Sequence, residues 1–129
     1  MIELVIVLVL VGVLAAYALP RLNTSSLQVM PVAEQIAAEI RYTQNLAMSR
    51  SESYTFGVDG NTISINGGAV PLSNGQSSVT FSGVSVSNDS ISFTPRFGQP
   101  SGGASISVDG GGSSVTVQVT GETGYVRID

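Results

Sequence analysis

The chain has 129 residues, 43% of them hydrophobic, and its five Arg, nine Asp or Glu and absent Lys give a net charge of -4. This length suits one modest domain plus an additional segment rather than two soluble domains. The absence of His and Cys removes the commonest general base, thiolate metal ligands and any disulfide. The negative charge also disfavours non-specific binding to polyphosphate.

The chain opens with a long apolar run that has one carboxylate at its tip. Leu4 to Leu19 comprises 16 apolar or small residues, eleven of them Leu, Ile or Val, and Glu3 precedes them. Each Leu, Ile or Val favours the bilayer centre by roughly 0.3–0.6 kcal/mol, which together outweighs one acid near the edge. Sixteen helical residues span only about 24 Å, against a hydrocarbon core of about 30 Å. We therefore predict a transmembrane helix over residues 1–22 and expect further residues upstream.

A second helix is predicted after a polar linker, Asn23 to Ser26. Apolar or small residues then recur at spacings of three and four, which predicts an amphipathic helix of about twenty residues within 23–52. The predicted apolar face consists of Val29, Val32, Ile36, Ile40, Thr43 and Ala47, and the polar side of Glu34, Arg41, Asn45 and Glu52. Because Pro20 lacks an N–H donor and crowds the preceding turn, we expect the two segments to form one long helix bent near Pro20.

The remaining chain, residues 53–129, has the pattern of a β-rich domain. Seven short runs of β-branched and aromatic residues are separated by turns rich in Gly, Asn and Asp: SYTFGV, TISIN, SVTF, ISFT, ASISV, SVTVQV and YVRI. Alternation at Val115, Val117 and Val119 indicates that one face of each strand is buried. We predict an α+β fold in which the amphipathic helix covers a small antiparallel β-sheet domain.

Several residues in this β-region have both a functional and a structural interpretation. Asp59, Asn61 and Asp109 resemble loop ligands for calcium, but Asp-Gly turns account for them, so we expect no metal and no cofactor. Phe93 and Phe97 are expected to pack in the core rather than to form a binding platform. The chain also lacks a Gly-x-Ser-x-Gly motif and a phosphate-cradling Gly loop, so we do not expect an enzyme.

The N-terminal segment IELVIVLVLVGVLAAYALPRL resembles that of type IV pilins and the related pseudopilins, which usually starts Phe-Thr-Leu-Ile-Glu. Ile2 and Glu3 match the last two of these residues and Met1 stands where the Leu would be, so we expect two mature residues and a leader to be missing. The resemblance implies that Glu3 pairs with the N-terminal amine of a neighbouring subunit during filament growth. We assign Glu3, Gly12 and Pro20 to assembly, and we expect the segment between Gly12 and Pro20 to loosen when the subunit leaves the bilayer.

The downstream sequence VAEQIAAEIRYTQNLAMSRSESYTF, with the later stretch Phe93, Pro95, Phe97 and Gly98, resembles the minor pseudopilin group containing GspH and FimT. Minor pilins of the mannose-sensitive haemagglutinin pilus are similar. The resemblance implies a minor type IV pilin or a type II secretion pseudopilin in the bacterial inner membrane, single-pass, with its C-terminal domain in the periplasm. Its partners would be other major and minor pilins or pseudopilins, the prepilin peptidase that cleaves and N-methylates it, and the inner-membrane assembly platform.

The resemblance leaves one alternative of a different class, a DNA-binding minor pilin of a competence pilus. FimT-like minor pilins that take up DNA use a C-terminal Gly-Arg-x-Arg motif, and the corresponding stretch here is Gly124, Tyr125, Val126 and Arg127. One of the two arginines is therefore absent, and Asp129 is nearby. Arg127 and Arg96 are the candidate nucleic-acid contacts, although the negative net charge makes such binding an unfavoured outcome. A simple membrane-anchored β-domain is a third hypothesis.

Overall fold

A computed structural model describes residues 1–18 and 25–129. Two helices are followed by eight strands: α1 Ile2–Ala18, α2 Ser25–Arg50, β1 Tyr54–Asp59, β2 Thr62–Ile65, β3 Ser78–Thr80, β4 Ser85–Val86, β5 Asp89–Phe93, β6 Ala104–Gly110, β7 Ser113–Val119 and β8 Val126–Ile128. The expected bend near Pro20 lies outside the described residues. The prediction of a linker extending to Ser26 was wrong at its end, because α2 already begins at Ser25.

α2 packs against the β-domain through one apolar face. Of the predicted face, Val32 is half-buried and the rest is buried: Val29, Ile36, Ile40, Thr43 and Ala47. Glu34, Arg41 and Asn45 are exposed, as predicted. This face contacts β1, β5, β6, β7 and β8. These contacts confirm the role that the amphipathic period predicts for the helix, which is to cover the sheet domain.

The β-domain consists of two four-stranded antiparallel sheets, with strand orders β3-β2-β1-β5 and β4-β6-β7-β8. The antiparallel β-domain is therefore confirmed, and the seven predicted runs correspond to every strand except β4. The sequence pattern did not predict β4 because two residues are too few to show alternation. It also did not predict the division into two sheets, which depends on pairings between distant segments.

Two hairpin turns use residues in the left-handed region of backbone space. Gly60 and Asn61, between β1 and β2, have φ of 57° and 64°, and Gly111 and Gly112, between β6 and β7, have φ of 55° and 82°. Positive φ at both central residues is the geometry of a type I′ turn, which matches the twist of paired strands. This agrees with the turn interpretation of Asp59 and Asn61. Within residues 1–18 and 25–129, no three acidic side chains cluster in a way that could hold a metal.

Asn61 also connects the two sheets. Its Nδ2 donates a hydrogen bond to the carbonyl oxygen of Val84 at 3.1 Å, and its Oδ1 accepts one from the N–H of Val86 in β4 at 2.8 Å. The turn of the first sheet is thereby attached to the edge strand of the second.

We expect Asn61→Gly to lower the free energy of unfolding by about 1–3 kcal/mol, because it removes both side-chain hydrogen bonds. Glycine adopts positive φ readily, so this change adds no backbone strain. Asn61→Ala should cost roughly 1 kcal/mol more, since Ala also strains the left-handed backbone. Urea unfolding of the full chain in detergent, followed by circular dichroism, measures both values. Two variants as stable as the wild type would show that the bridge between the sheets contributes nothing to stability.

Candidate assembly site

α1 is apolar around its whole circumference. The exposed fraction of its large hydrophobic residues ranges from 54% at Ile6 to 76% at Ile2. A helix that is apolar on all sides requires apolar surroundings from another molecule or from lipid. Among the described residues, no helix is both long enough and apolar enough to cross a membrane.

Two of the three residues assigned to assembly lie on α1. Glu3 is exposed in its first turn, where the helix dipole favours a carboxylate, and it forms no ion pair with any described residue. A Cβ atom at Gly12 would meet nothing within 4 Å, so no contact among the described residues requires glycine there. Pro20 is outside the described residues. The assembly roles of all three residues stay predictions.

Two loops near the C-terminal end of α2 have the same hydrogen-bonding frame. They follow β5 and β7 and begin at Thr94 and Thr120. In each loop the Thr N–H donates to the carbonyl oxygen five residues later, at 2.9 Å in both cases. Four residues after each Thr, Gly98 or Gly124 returns its own N–H to the Thr carbonyl, at 3.1 Å and 2.8 Å. These glycines have φ of 62° and 76°, so both turns use the conformation that glycine adopts most readily.

Gln44 on α2 attaches both loops to the helix. Its Nε2 donates hydrogen bonds to the carbonyl oxygens of Gly98, at 2.9 Å, and Thr123, at 3.0 Å. Both loops lie very close to α2. A Cβ atom at Gly98 would lie 2.7 Å from Met48 Cγ, and one at Gly124 would lie 2.5 Å from Gln44 Nε2. One side-chain amide and two glycines therefore hold the loops in place.

The two aromatic residues of the predicted core have opposite environments. Phe93, at the end of β5, is fully buried, as predicted. Phe97 is 83% exposed, so the prediction that it packs in the core was wrong. The reason is that Gly98, rather than Phe97, fills the narrow contact with α2. Tyr125, beside Gly124 in the other loop, is 65% exposed in the same way.

The two candidate nucleic-acid contacts lie on different elements. Arg127, on β8, donates hydrogen bonds to Gln118 Oε1 from Nη2 at 2.7 Å and from Nε at 3.2 Å, and its Nε lies 3.4 Å from Asp129 Oδ2. Arg96 is exposed in the loop after β5. Asp129 offsets the charge of Arg127, which lowers its attraction for phosphate.

Besides those of Gln44, the contacts of two more polar residues on α2 were not predicted. Glu39 is only 3% exposed, and its carboxylate accepts hydrogen bonds from the N–H and the hydroxyl of Ser73, which fastens the loop between β2 and β3 to the helix. Its position three residues after Ile36 was the available signal, because that spacing lies on the apolar face. Arg41 donates from Nη2 to the carbonyl oxygen of Val126 at 3.1 Å and so satisfies an acceptor of the edge strand β8.

The fold of this chain, a helix packed on antiparallel sheets, is similar to that of a solved type IV minor pilin. Two crystal forms of the type IV minor pilin FimU from Pseudomonas aeruginosa are similar to this chain. One has a TM-score of 0.62 and 13% identity over 82% of this chain and 91% of the FimU chain. The other has a TM-score of 0.59 and 12% identity over 78% and 91%. No family model matches the sequence, and no curated protein does.

The close loop contacts predict different costs for two glycine substitutions. Gly124 and Gly112 both have positive φ, 76° and 82°, but only Gly124 has neighbours within 4 Å of an added Cβ atom. We expect Gly112→Ala to lower the free energy of unfolding by about 1 kcal/mol through backbone strain. Gly124→Ala should cost about 2 kcal/mol more, because the methyl group displaces the Gln44 amide. Urea unfolding measures both, and equal losses would contradict the packed contact.

Proposed function

We propose that this protein is a structural subunit of a type IV pilus-like filament, either a minor type IV pilin or a type II secretion pseudopilin. The observation that carries the proposal is α1, an apolar helix exposed on all sides and placed N-terminal to a domain with the fold of a minor pilin. The β-domain buries its own core with α2 and does not need α1 for this. The exposed apolar surface of α1 is thus available for assembly.

In this proposal α1 has two successive environments. Before assembly, residues 1–22 anchor the chain once in the bacterial inner membrane, and the β-domain lies in the periplasm. The apolar sequence from Leu4 to Leu19 supports this anchoring. After cleavage by the prepilin peptidase and extraction by the assembly platform, the same surface packs against the helices of neighbouring pilins. Both environments remove the apolar side chains from water.

Glu3 makes this assembly conditional on a partner. In apolar surroundings an unpaired carboxylate is costly, and the amine of a neighbouring subunit offsets that cost. Its exposed position in the first turn of α1 leaves the carboxylate accessible to another chain. No catalytic step is assigned to any residue, in keeping with structural neighbours that are pilin subunits. We do not propose the DNA-binding alternative, because Arg127 is paired with Asp129.

The proposal predicts that Glu3→Leu lowers filament incorporation without changing membrane insertion. Insertion should be unchanged, because the carboxylate lies at the end of the apolar run. Incorporation should fall at least about tenfold, since the loss leaves the neighbour's amine as an unpaired buried charge, with a penalty of roughly 3–5 kcal/mol. The measurement is the abundance of the full chain in sheared filaments relative to membranes.

Glu52→Leu, at an exposed carboxylate between the end of α2 and the start of β1, is the matched control and should be incorporated as the wild type is. If Glu3→Leu enters filaments as efficiently as Glu52→Leu, Glu3 has no role in assembly. If the wild-type chain never appears in sheared filaments of a cell that assembles them, the proposed function itself is wrong.

A further inference from the structure

The segment between β2 and β3 contains two Asn-Gly pairs, Asn66–Gly67 and Asn74–Gly75. All of these residues are exposed. An asparagine followed by glycine can lose its side-chain amide without an enzyme, because glycine has no side chain to obstruct the approach of its nitrogen to the asparagine side chain. The two pairs share this reactive dipeptide, so the fold decides which of them reacts in the native protein.

The reaction proceeds through a cyclic imide. The backbone nitrogen of the glycine loses its proton and attacks Cγ of the asparagine, and the new bond between them closes a succinimide ring. The bond from Cγ to Nδ2 then breaks, and Nδ2 takes up a proton and leaves as ammonia. Water opens the ring at either carbonyl carbon, which gives aspartate or isoaspartate. Water is thus the only co-reactant, and nothing is oxidised or reduced.

The two asparagine side chains present the reacting carbonyl group in the same way. Asn66 Oδ1 accepts a hydrogen bond from the N–H of Thr55 at 2.8 Å, and Asn74 Oδ1 accepts one from the N–H of Gln76 at 3.0 Å. In each pair a backbone donor faces the oxygen that gains negative charge when the ring closes. The carbonyl group therefore does not distinguish the two pairs.

The nitrogen of the second pair is held in a closed turn. The N–H of Gly75 donates a hydrogen bond to the carbonyl oxygen of Leu72 at 2.9 Å. Leu72 is only 2% exposed, and the next residue, Ser73, is bound by Glu39 of α2. The turn is thus anchored on both the core and the helix, and it must open before the nitrogen can attack Asn74.

The nitrogen of the first pair has no such restraint. The N–H of Gly67 forms no hydrogen bond with any residue that the structure describes. The bond that closes its loop, from the N–H of Val70 to the carbonyl oxygen of Ile65, is long at 3.3 Å. The attacking nitrogen is therefore free in the first pair and occupied in the second.

We propose that Asn66 is a site of spontaneous deamidation in the folded protein and that the fold protects Asn74. Aspartate at position 66 keeps an acceptor for the N–H of Thr55 and adds one negative charge. Isoaspartate instead adds a methylene group to the backbone within the loop that ends at Val70. The inference goes beyond the proposed function and does not depend on it, because the reaction needs only the folded β-domain and water.

The test compares the two sites within one molecule. The full-length protein is incubated in detergent, well below its unfolding temperature, in mildly alkaline buffer made with water enriched in heavy oxygen, which labels each new carboxylate. Trypsin releases one peptide that contains both pairs, from Ser51 to Arg96, and fragmentation in the mass spectrometer locates the label. We expect labelled product at Asn66 to form at least about fivefold faster than at Asn74, the factor that one net hydrogen bond represents.

The matched control is the same protein unfolded in guanidinium chloride, where both pairs should react at rates within about twofold of each other, because the turn at Gly75 is lost. Equal rates in the folded protein, faster reaction at Asn74, or no reaction at either site would overturn the proposal. A preference for Asn66 that persists in guanidinium chloride would also overturn it, since the local sequence rather than the fold would then select the site.

Discussion

Both sheets depend on the apolar face of α2, because each sheet of four short strands has one apolar side and is too small to cover it alone. Ile36 and Ile40 fill the space between the helix and the strands, and both are fully buried. Ala33, Ala37 and Ala47 are equally buried, and their small side chains let the strands approach the helix closely. The alternation of large and small residues on one helix face thus brings two separately paired sheets into a single core.

α2 also positions the loops that surround this core, through polar side chains placed along its length. Glu39 binds the loop between β2 and β3 through Ser73, Arg41 binds the carbonyl of Val126 at the edge of β8, and Gln44 binds the two loops that carry exposed aromatic residues. The contacts of Glu39, of Arg41 and of Gln44 with Gly98 are part-buried, where an unpaired polar group would be costly. The helix that closes the core therefore also fixes the two loops whose aromatic residues are exposed.

The two helices of the chain place opposite physical demands on their surroundings. α2 is amphipathic and its apolar face is buried within the domain, whereas α1 has no polar face and is exposed on all sides. The helix with the exposed apolar surface, α1, thus contributes nothing to the core that α2 and the strands form. This separation suits a subunit that keeps a folded domain while its apolar helix exchanges lipid for other helices, as the proposed function requires.

The sequence by itself determined the elements whose signal is local. The spacing of Val29, Ile36 and Ile40 predicted the face of α2, and the alternation in β7 predicted the buried side of that strand, because helical and strand periods are properties of neighbouring residues. The tertiary structure alone decided the division into two sheets, the exposure of Phe97 and the role of Gln44. The partners of Gln44, Gly98 and Thr123, lie 54 and 79 residues further along the chain. No period or motif encodes such a contact, since it exists only when the packing of α2 on the strands brings both loops to one amide.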